Sequence, residues 1–326
     1  GSGGSIRVED ASLIDVSAGA YRTAQGNTLG GRGGSISFDT NRIGDPQLGA
    51  QLELAGVLRG FGFERGGSLS FDVERIEVVA DAQPPADSEL ELEASGRFAS
   101  REVDGGQGNS QFVLEVSDAI FRQGGFEDYS LASSRLDLAV SSDADIRLRA
   151  AQLLLDSPTA AFAVTGTPLS DLAQPALLPE FQRRPVSLAL ATDGSLGAAI
   201  GGGNNLSIAT GAGIRGDAGT TVSLSSTNSL VIDGVIDAPG GAISLQTGEG
   251  SGLFLPDRQI WIGPNASLSV DAVALVDTLN PLGLRLGELL PGGRISVRAE
   301  EGSLLVADGA SLSADGGTAL LDVGFG

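Results

Sequence analysis

The sequence predicts an all-β chain wound as a right-handed parallel β-helix, a solenoid with one loop or short-helix excursion, and three observations carry that reading. First, hydrophobic content is 41% but aromatics are only 5%, against 49 glycines, so the core is built of Val, Leu, Ile and Ala in thin layers separated by turns. Second, one short unit recurs: a small residue or Gly, then Gly, a small or polar residue, and an apolar-x-apolar triplet. Third, the copies are spaced like coils, 21 residues from Val222 to Ile243 and 52, or two steps of 26, from Ile243 to Ile295. Right-handedness follows the prevalent hand of such coils rather than any residue.

The unit appears as Gly4-Ser5-Ile6-Arg7-Val8, Gly34-Ser35-Ile36-Ser37-Phe38, Gly67-Ser68-Leu69-Ser70-Phe71, Gly241-Ala242-Ile243-Ser244-Leu245 and Gly293-Arg294-Ile295-Ser296-Val297. In each, the outer residues of the triplet are apolar and the middle one polar, the period of a strand with one buried and one wet face. Gly, Asp and Asn bound the strands and supply the corners. One turn buries nothing alone, so like stacks on like and every strand pairs in parallel. At about 22 to 26 residues per turn, the chain predicts about 10 to 14 turns at the ~4.8 Å strand spacing.

Residues 1–81 read as β-helix repeats. Residues 82–156 continue them with irregular loops, opening on the Pro-Pro segment of Ala82 to Ser88, a linker or outward loop, and returning to strands from Gln111 to Asp156. Residues 157–186 lack the Gly-Gly triplet and carry five of the 13 prolines, so they form an excursion from the rod, with Ser170 to Gln174 opening one helical turn before Pro175. Residues 187–326 are again β-helix repeats. The chain opens on Gly1 rather than Met and reads as an internal piece of a longer one.

The net charge is -21, with 41 acidic residues against 20 basic ones, all of them Arg, so nucleic acid is disfavoured as a partner. No run approaches the ~18 apolar residues of a membrane span, and no membrane insertion is expected. Cys and His are both absent, which removes Ser-His-Asp and Cys-His catalysis and His or thiolate metal sites. Carboxylate, Arg, Ser or Tyr chemistry remains. Glu89-Leu90-Glu91-Leu92-Glu93 puts three acids on one strand face, which reads as a solvated face more readily than as the carboxylate pair of a glycosidase. Asp143-Ala144-Asp145 and Asp233 with Asp237 read as turn formers before calcium ligands. No enzyme activity, cofactor or metal is expected.

Candidate binding residues are few. Arg215-Gly216-Asp217 is the tripeptide integrins recognise, set where a turn is expected. Asn205-Leu206-Ser207 and Asn265-Ala266-Ser267 fit the N-glycosylation acceptor pattern. Trp261, the only Trp, points outward if Ile260 and Ile262 point inward, where an indole stacks on a sugar or on the excursion. The excursion offers Phe181 and the basic pair Arg183-Arg184 in an acidic chain. Since Pro185 blocks cleavage after Arg184, trypsin is expected to cut early after Arg183.

Seven phrases, in order, go beyond a generic β-helix: IDVSAGAYRTAQGNTLGGRGGSISF (14–38), LAGVLRGFGFERGGSLSF (54–71), GGFEDYSL (124–131), RRPVSLAL (183–190), VIDGVIDAPGGAISL (231–245), IWIGPNASLSV (260–270) and LLPGGRISV (289–297). Over almost the whole chain they resemble the filamentous-haemagglutinin-like exoproteins of two-partner secretion in Gram-negative bacteria. The resemblance implies a secreted or outer-membrane-tethered β-helix exported through an outer-membrane transporter pore. Its expected role is a non-enzymatic adhesin shaft presenting elements to a host receptor, a glycan or another bacterial surface, in attachment or biofilm formation. A polysaccharide-degrading β-helix enzyme and the stick of a contact-dependent toxin-delivery exoprotein are the alternatives.

Overall fold

The computed structural model describes residues 5–23, 28–40, 51–81, 94–95, 98–104, 110–156, 163–164, 166–193, 204–248, 254–277 and 281–324. These residues are all-β: there is no α-helix among them, only short 3-10 turns at Asp118–Arg122, Leu169–Asp171 and Glu180–Gln182. Three sheets dominate, with ten strands (sheet 1), seven strands (sheet 2) and five strands (sheet 3). From Ser187 on, the chain visits them in rotation. Ser187–Thr192, Thr221–Ser226, Ala242–Thr247 and Arg294–Ala299 lie in sheet 2. Each is followed by a strand of sheet 1: Leu206–Ile208, Leu230–Ile232, Gln259–Ile262 and Ser303–Val306. Each of those is followed by one of sheet 3: Gly213–Gly216, Val235–Asp237, Ser267–Ser269 and Ser311–Ser313.

Parallel pairing in fixed register makes columns of like residues. In sheet 2, Tyr129, Leu188, Val222, Ile243 and Ile295 stack in one inward column and Leu131, Leu190, Leu224, Leu245 and Val297 in the next. In sheet 1, Leu206, Leu230, Ile260 and Leu304 do the same. Full burial of such a side chain contributes about 1.5–3 kcal/mol, so each short strand is held by its register partners more than by itself. A third column of sheet 2, Ser133, Thr192, Ser226 and Thr247, is buried but polar. Three of its hydroxyls meet the backbone where the chain leaves the sheet: Ser133 bonds to the Glu74 and Leu136 carbonyls, and Thr192 and Ser226 both donate to the Asn204 carbonyl, at 2.8 and 2.6 Å.

The Gly-Gly signature has a steric cause. A Cβ on Gly241 would sit 1.9 Å from the Thr220 carbonyl oxygen, and one on Gly293 equally close to that of Gly241. The neighbouring backbone passes too near for a side chain there, so the second Gly of the pair marks the entries at Ala242 and Arg294, whereas Thr221–Ser226 is entered through Thr220 and Ser187–Thr192 through Val186.

Several expectations are corrected. Ile243 pairs directly with Ile295, so their 52 residues are one step between adjacent strands of sheet 2 and not two. The excess is an outward antiparallel hairpin, Val273–Val276 with Leu286–Leu290, inserted between sheet 3 and sheet 2. Among the described residues sheet 2 has seven strands, fewer than the turns anticipated from length. Nor does every strand pair in parallel: Phe98–Asp104 and Ser110–Ser117 form an antiparallel hairpin set into sheet 1 between Gln51–Leu54 and Ile76–Val79. The core is not purely aliphatic either, because the amino-terminal part packs Phe38, Phe71 and Phe98 with ring centroids 4.8 to 5.6 Å apart. Within the excursion, the 3-10 turn gives way to Ala173–Ala176, extended and paired antiparallel with Gln152–Leu155, with Pro175 opposite Leu153. The Pro-Pro segment of Ala82 to Ser88 and the Glu89 to Glu93 stretch lie outside the described residues.

Candidate functional site

The flank where the excursion rejoins sheet 2 is laced by ion pairs. Arg183 donates from Nε to the Leu178 carbonyl at 2.6 Å and from Nη1 to Asp217 at 3.1 Å. Arg149 approaches the same carboxylate at 4.0 Å. Asp217 is only 8% exposed, and burial raises its carboxyl above the ordinary range although both arginines pull it down. Arg184 reaches Glu127 at 3.4 Å and also donates to the Phe63 carbonyl. Glu127 is raised in the same way, by burial, against the Gly66 backbone N–H and the Arg184 and Arg65 charges. Phe181 sits in the last 3-10 turn, half-buried.

This geometry corrects two readings. The basic pair does not stand out from the rod: both guanidinium groups turn inward and strap the excursion down, so Arg183 is a poor early trypsin site. The Arg-Gly-Asp tripeptide is not presented as a unit. Arg215 lies on the strand Gly213–Gly216 and pairs with Asp145, whereas Asp217 follows the strand, buried beneath Arg183. Gly216 between them has no space for a side chain, since a Cβ would meet Thr220 at 2.3 Å. An integrin needs both charges free at a turn tip, and here each is engaged elsewhere. Of the partners that close this network, Arg149 carried no local motif and Asp145 read only as part of an acidic turn; the register Asp145 with Gly213 and Arg147 with Arg215 brings Asp145 beside Arg215.

The acidic turns are likewise occupied by protein donors. Asp145 takes Arg147 and Arg215, and Asp233 takes Asn265 and Thr210. Among the described residues no group of three or more metal-ligating side chains is placed to hold an ion. Of the two glycosylation sequons, Asn205 has its side chain in a ladder, donating to Asp137 at 3.1 Å and accepting from Asn228 at 2.8 Å. Asn265 is exposed.

Trp261 stands where the alternation puts it. Ile260 and Ile262 are fully buried, and Trp261 between them faces outward from sheet 1, half-buried, with Val231 and Leu305 as its register neighbours. Among the described residues it makes no ring contact with the excursion. Compared with family models, curated proteins and solved structures, the chain matches none of them.

Proposed function

We propose that the chain is a shaft segment of a secreted Gram-negative surface adhesin: a right-handed parallel β-helix without catalytic role, exported through an outer-membrane transporter pore. It projects and presents binding elements to a host receptor, a glycan or another bacterial surface. The observation that carries the reading is the threefold rotation through sheets 2, 1 and 3 from Ser187 to Ser313, with register kept at every step. A chain wound this way transmits length without needing a closed globular core. The outward column of sheet 2, Ser37, Ser70, Ser130, Ala189, Ser223, Ser244 and Ser296, supports the same role, since small residues keep a long face smooth and leave recognition to the insertions. The ordered phrases that resemble filamentous-haemagglutinin-like exoproteins point to secretion and attachment.

Solution scattering and cell binding test this together. A shaft gives an elongated particle, ten strands of sheet 1 at ~4.8 Å spanning about 43 Å along the axis. The fluorescently labelled chain should decorate epithelial or bacterial cells saturably and leave a polysaccharide panel uncut. A near-spherical particle, or cleavage of a polysaccharide, overturns the reading.

A further inference from the structure

Trp261 has a polar neighbourhood that the sequence order conceals. The turn after Leu230–Ile232 carries Asp233, and the turn one coil above it, after Gln259–Ile262, carries Gly263 and Asn265. Asp233 Oδ1 accepts the Asn265 backbone N–H at 3.0 Å, and its Oδ2 accepts the Asn265 side-chain N–H at 3.0 Å together with the Thr210 hydroxyl. Three donors fix the carboxylate plane. Gly263 lies between this carboxylate and the indole. A Cβ there would be 2.2 Å from Asp233 Oδ1 and 2.6 Å from Trp261 Cη2, so the ring's benzo edge and the carboxylate converge on one glycine. Thr210 and Asn265 are exposed. Among the described residues the indole N–H and Asn265 Oδ1 have no protein partner.

We propose that Trp261, Asp233 and Asn265 form a binding subsite for a neutral pyranose. A sugar ring has an apolar face of C–H bonds and a rim of hydroxyls. The electron-rich indole face suits the former, and the apolar register neighbours Val231 and Leu305 extend it along the column. The hydroxyl rim meets a carboxylate that already has its plane set and keeps acceptor capacity on Oδ1, a free amide oxygen and a free indole N–H: two acceptors and one donor. The carboxylate, in a chain of net charge -21, also fixes the class, because it repels uronates, sialic acids and sulfated glycans. Asp233 and Asn265 read separately as a turn former and a sequon; stacked one coil apart, they make one corner. The subsite rests on the presenting-shaft reading for its purpose, and the two fail separately, since scattering and cell binding test the shaft while sugar titration tests the corner.

Because the chain has a single Trp, its emission reports this site alone. Titrating the whole chain with methyl β-glucoside, methyl β-galactoside and methyl N-acetylglucosaminide should change that emission saturably for at least one of them. An exposed single-ring subsite binds with a Kd on the order of millimolar. Methyl glucuronide should bind about tenfold more weakly or not at all. Saturation-transfer NMR on the same sugars extends the test to variants. Trp261→Ala should abolish the transfer. Gly263→Ala, which keeps every functional group but drives ring and carboxylate apart, should weaken binding by about tenfold with the circular dichroism spectrum unchanged. Asp233→Asn should bring the glucuronide level with the glucoside. The proposal is overturned by an emission that responds to no neutral glycoside up to about 100 mM, by full binding in Trp261→Ala or Gly263→Ala, or by wild-type preference for the glucuronide.

Discussion

Replacing Ile243 by Ala tests the columns directly. Ile243 is buried in sheet 2, with Val222 beneath it and Ile295 above it in register. The change removes three carbons, worth about 2.4 kcal/mol of transfer free energy at ~0.8 kcal/mol per buried methylene. Stacked backbones cannot collapse into the gap, so a cavity cost adds to that and brings the loss to about 3–4 kcal/mol. Ser244 is the neighbouring residue and faces outward, so Ser244→Ala should stay within about 0.5 kcal/mol. Ile295 occupies the same column in the last strand of sheet 2, where it is only half-buried, so Ile295→Ala should cost about half as much as Ile243→Ala. Urea unfolding followed by far-UV circular dichroism reads all three, with hydrogen exchange locating the loss, since a stacked chain need not unfold in one step. The ranking 243, then 295, then 244 is the claim. Equal losses at Ile243 and Ser244 would show that inward and outward positions are misassigned and the coil register with them.

Glycine gives a second contrast: Gly241→Ala forces a Cβ into the Thr220 carbonyl and should cost about 2 kcal/mol or more, whereas Gly316→Ala meets nothing within 4 Å and should be close to neutral by thermal denaturation. Trypsin should leave the bond after Arg183 intact in the folded chain, and Asp217→Asn, which removes the charge that holds the guanidinium, should speed that cut about tenfold on a time-course gel. Acidification provides the fourth. Glu127, Asp217 and Glu74 all have carboxyls raised by burial, so the folded chain binds protons more readily than the unfolded one. The stability tied to these groups is therefore fully present below their unfolded pKa values and lost as pH rises through the folded ones. Thermal midpoints should climb as pH falls from the folded pKa values toward the ordinary carboxylate range of about 4, and Glu127→Gln should flatten the slope; a steeper slope in that variant would refute the assignment.

Much of the β architecture could be read from short-range pattern, and the corrections share one physical origin. The apolar-x-apolar triplet is a local signal, since it needs only that alternate residues face opposite sides of a strand. Ile243 and Leu245 were placed inward on that ground alone and are buried, and Ile260 and Ile262, on whose inward direction the outward Trp261 depended, are buried too. The number of turns is a different kind of quantity. It depends on how much chain leaves between one triplet and the next, and a hairpin such as Val273–Val276 with Leu286–Leu290 carries the same alternation as a strand of the stack. Nothing local separates the two. The outermost stacked positions show the same blindness: Leu304 and Val306 continue the columns of Ile260 and Ile262, yet they are 47% and 53% exposed, because burial is set by what lies above a residue and not by its own sequence.

Sites in such a fold are vertical, and this is why the candidate residues fared differently. Trp261 was legible because its orientation follows from its two neighbours. The fate of Arg183 and Asp217 was not, because their ion pair joins residues 34 positions apart, one in the excursion and one just after a strand of sheet 3. Asp233 and Asn265, 32 positions apart, meet for the same reason, and no motif of contiguous residues could contain both. The coil register converts sequence distance into adjacency: Ile232 pairs with Ile262, so the residue after each falls one strand spacing from the other, about 4.8 Å. Once that single pairing is known, IDG at 232–234 and IGPN at 262–265 can be read as one surface: carboxylate below, glycine and amide above, indole alongside. The proposed subsite therefore draws on two stretches, Asp233 from one and Trp261, Gly263 and Asn265 from the other, and a search confined to contiguous sequence finds only part of it.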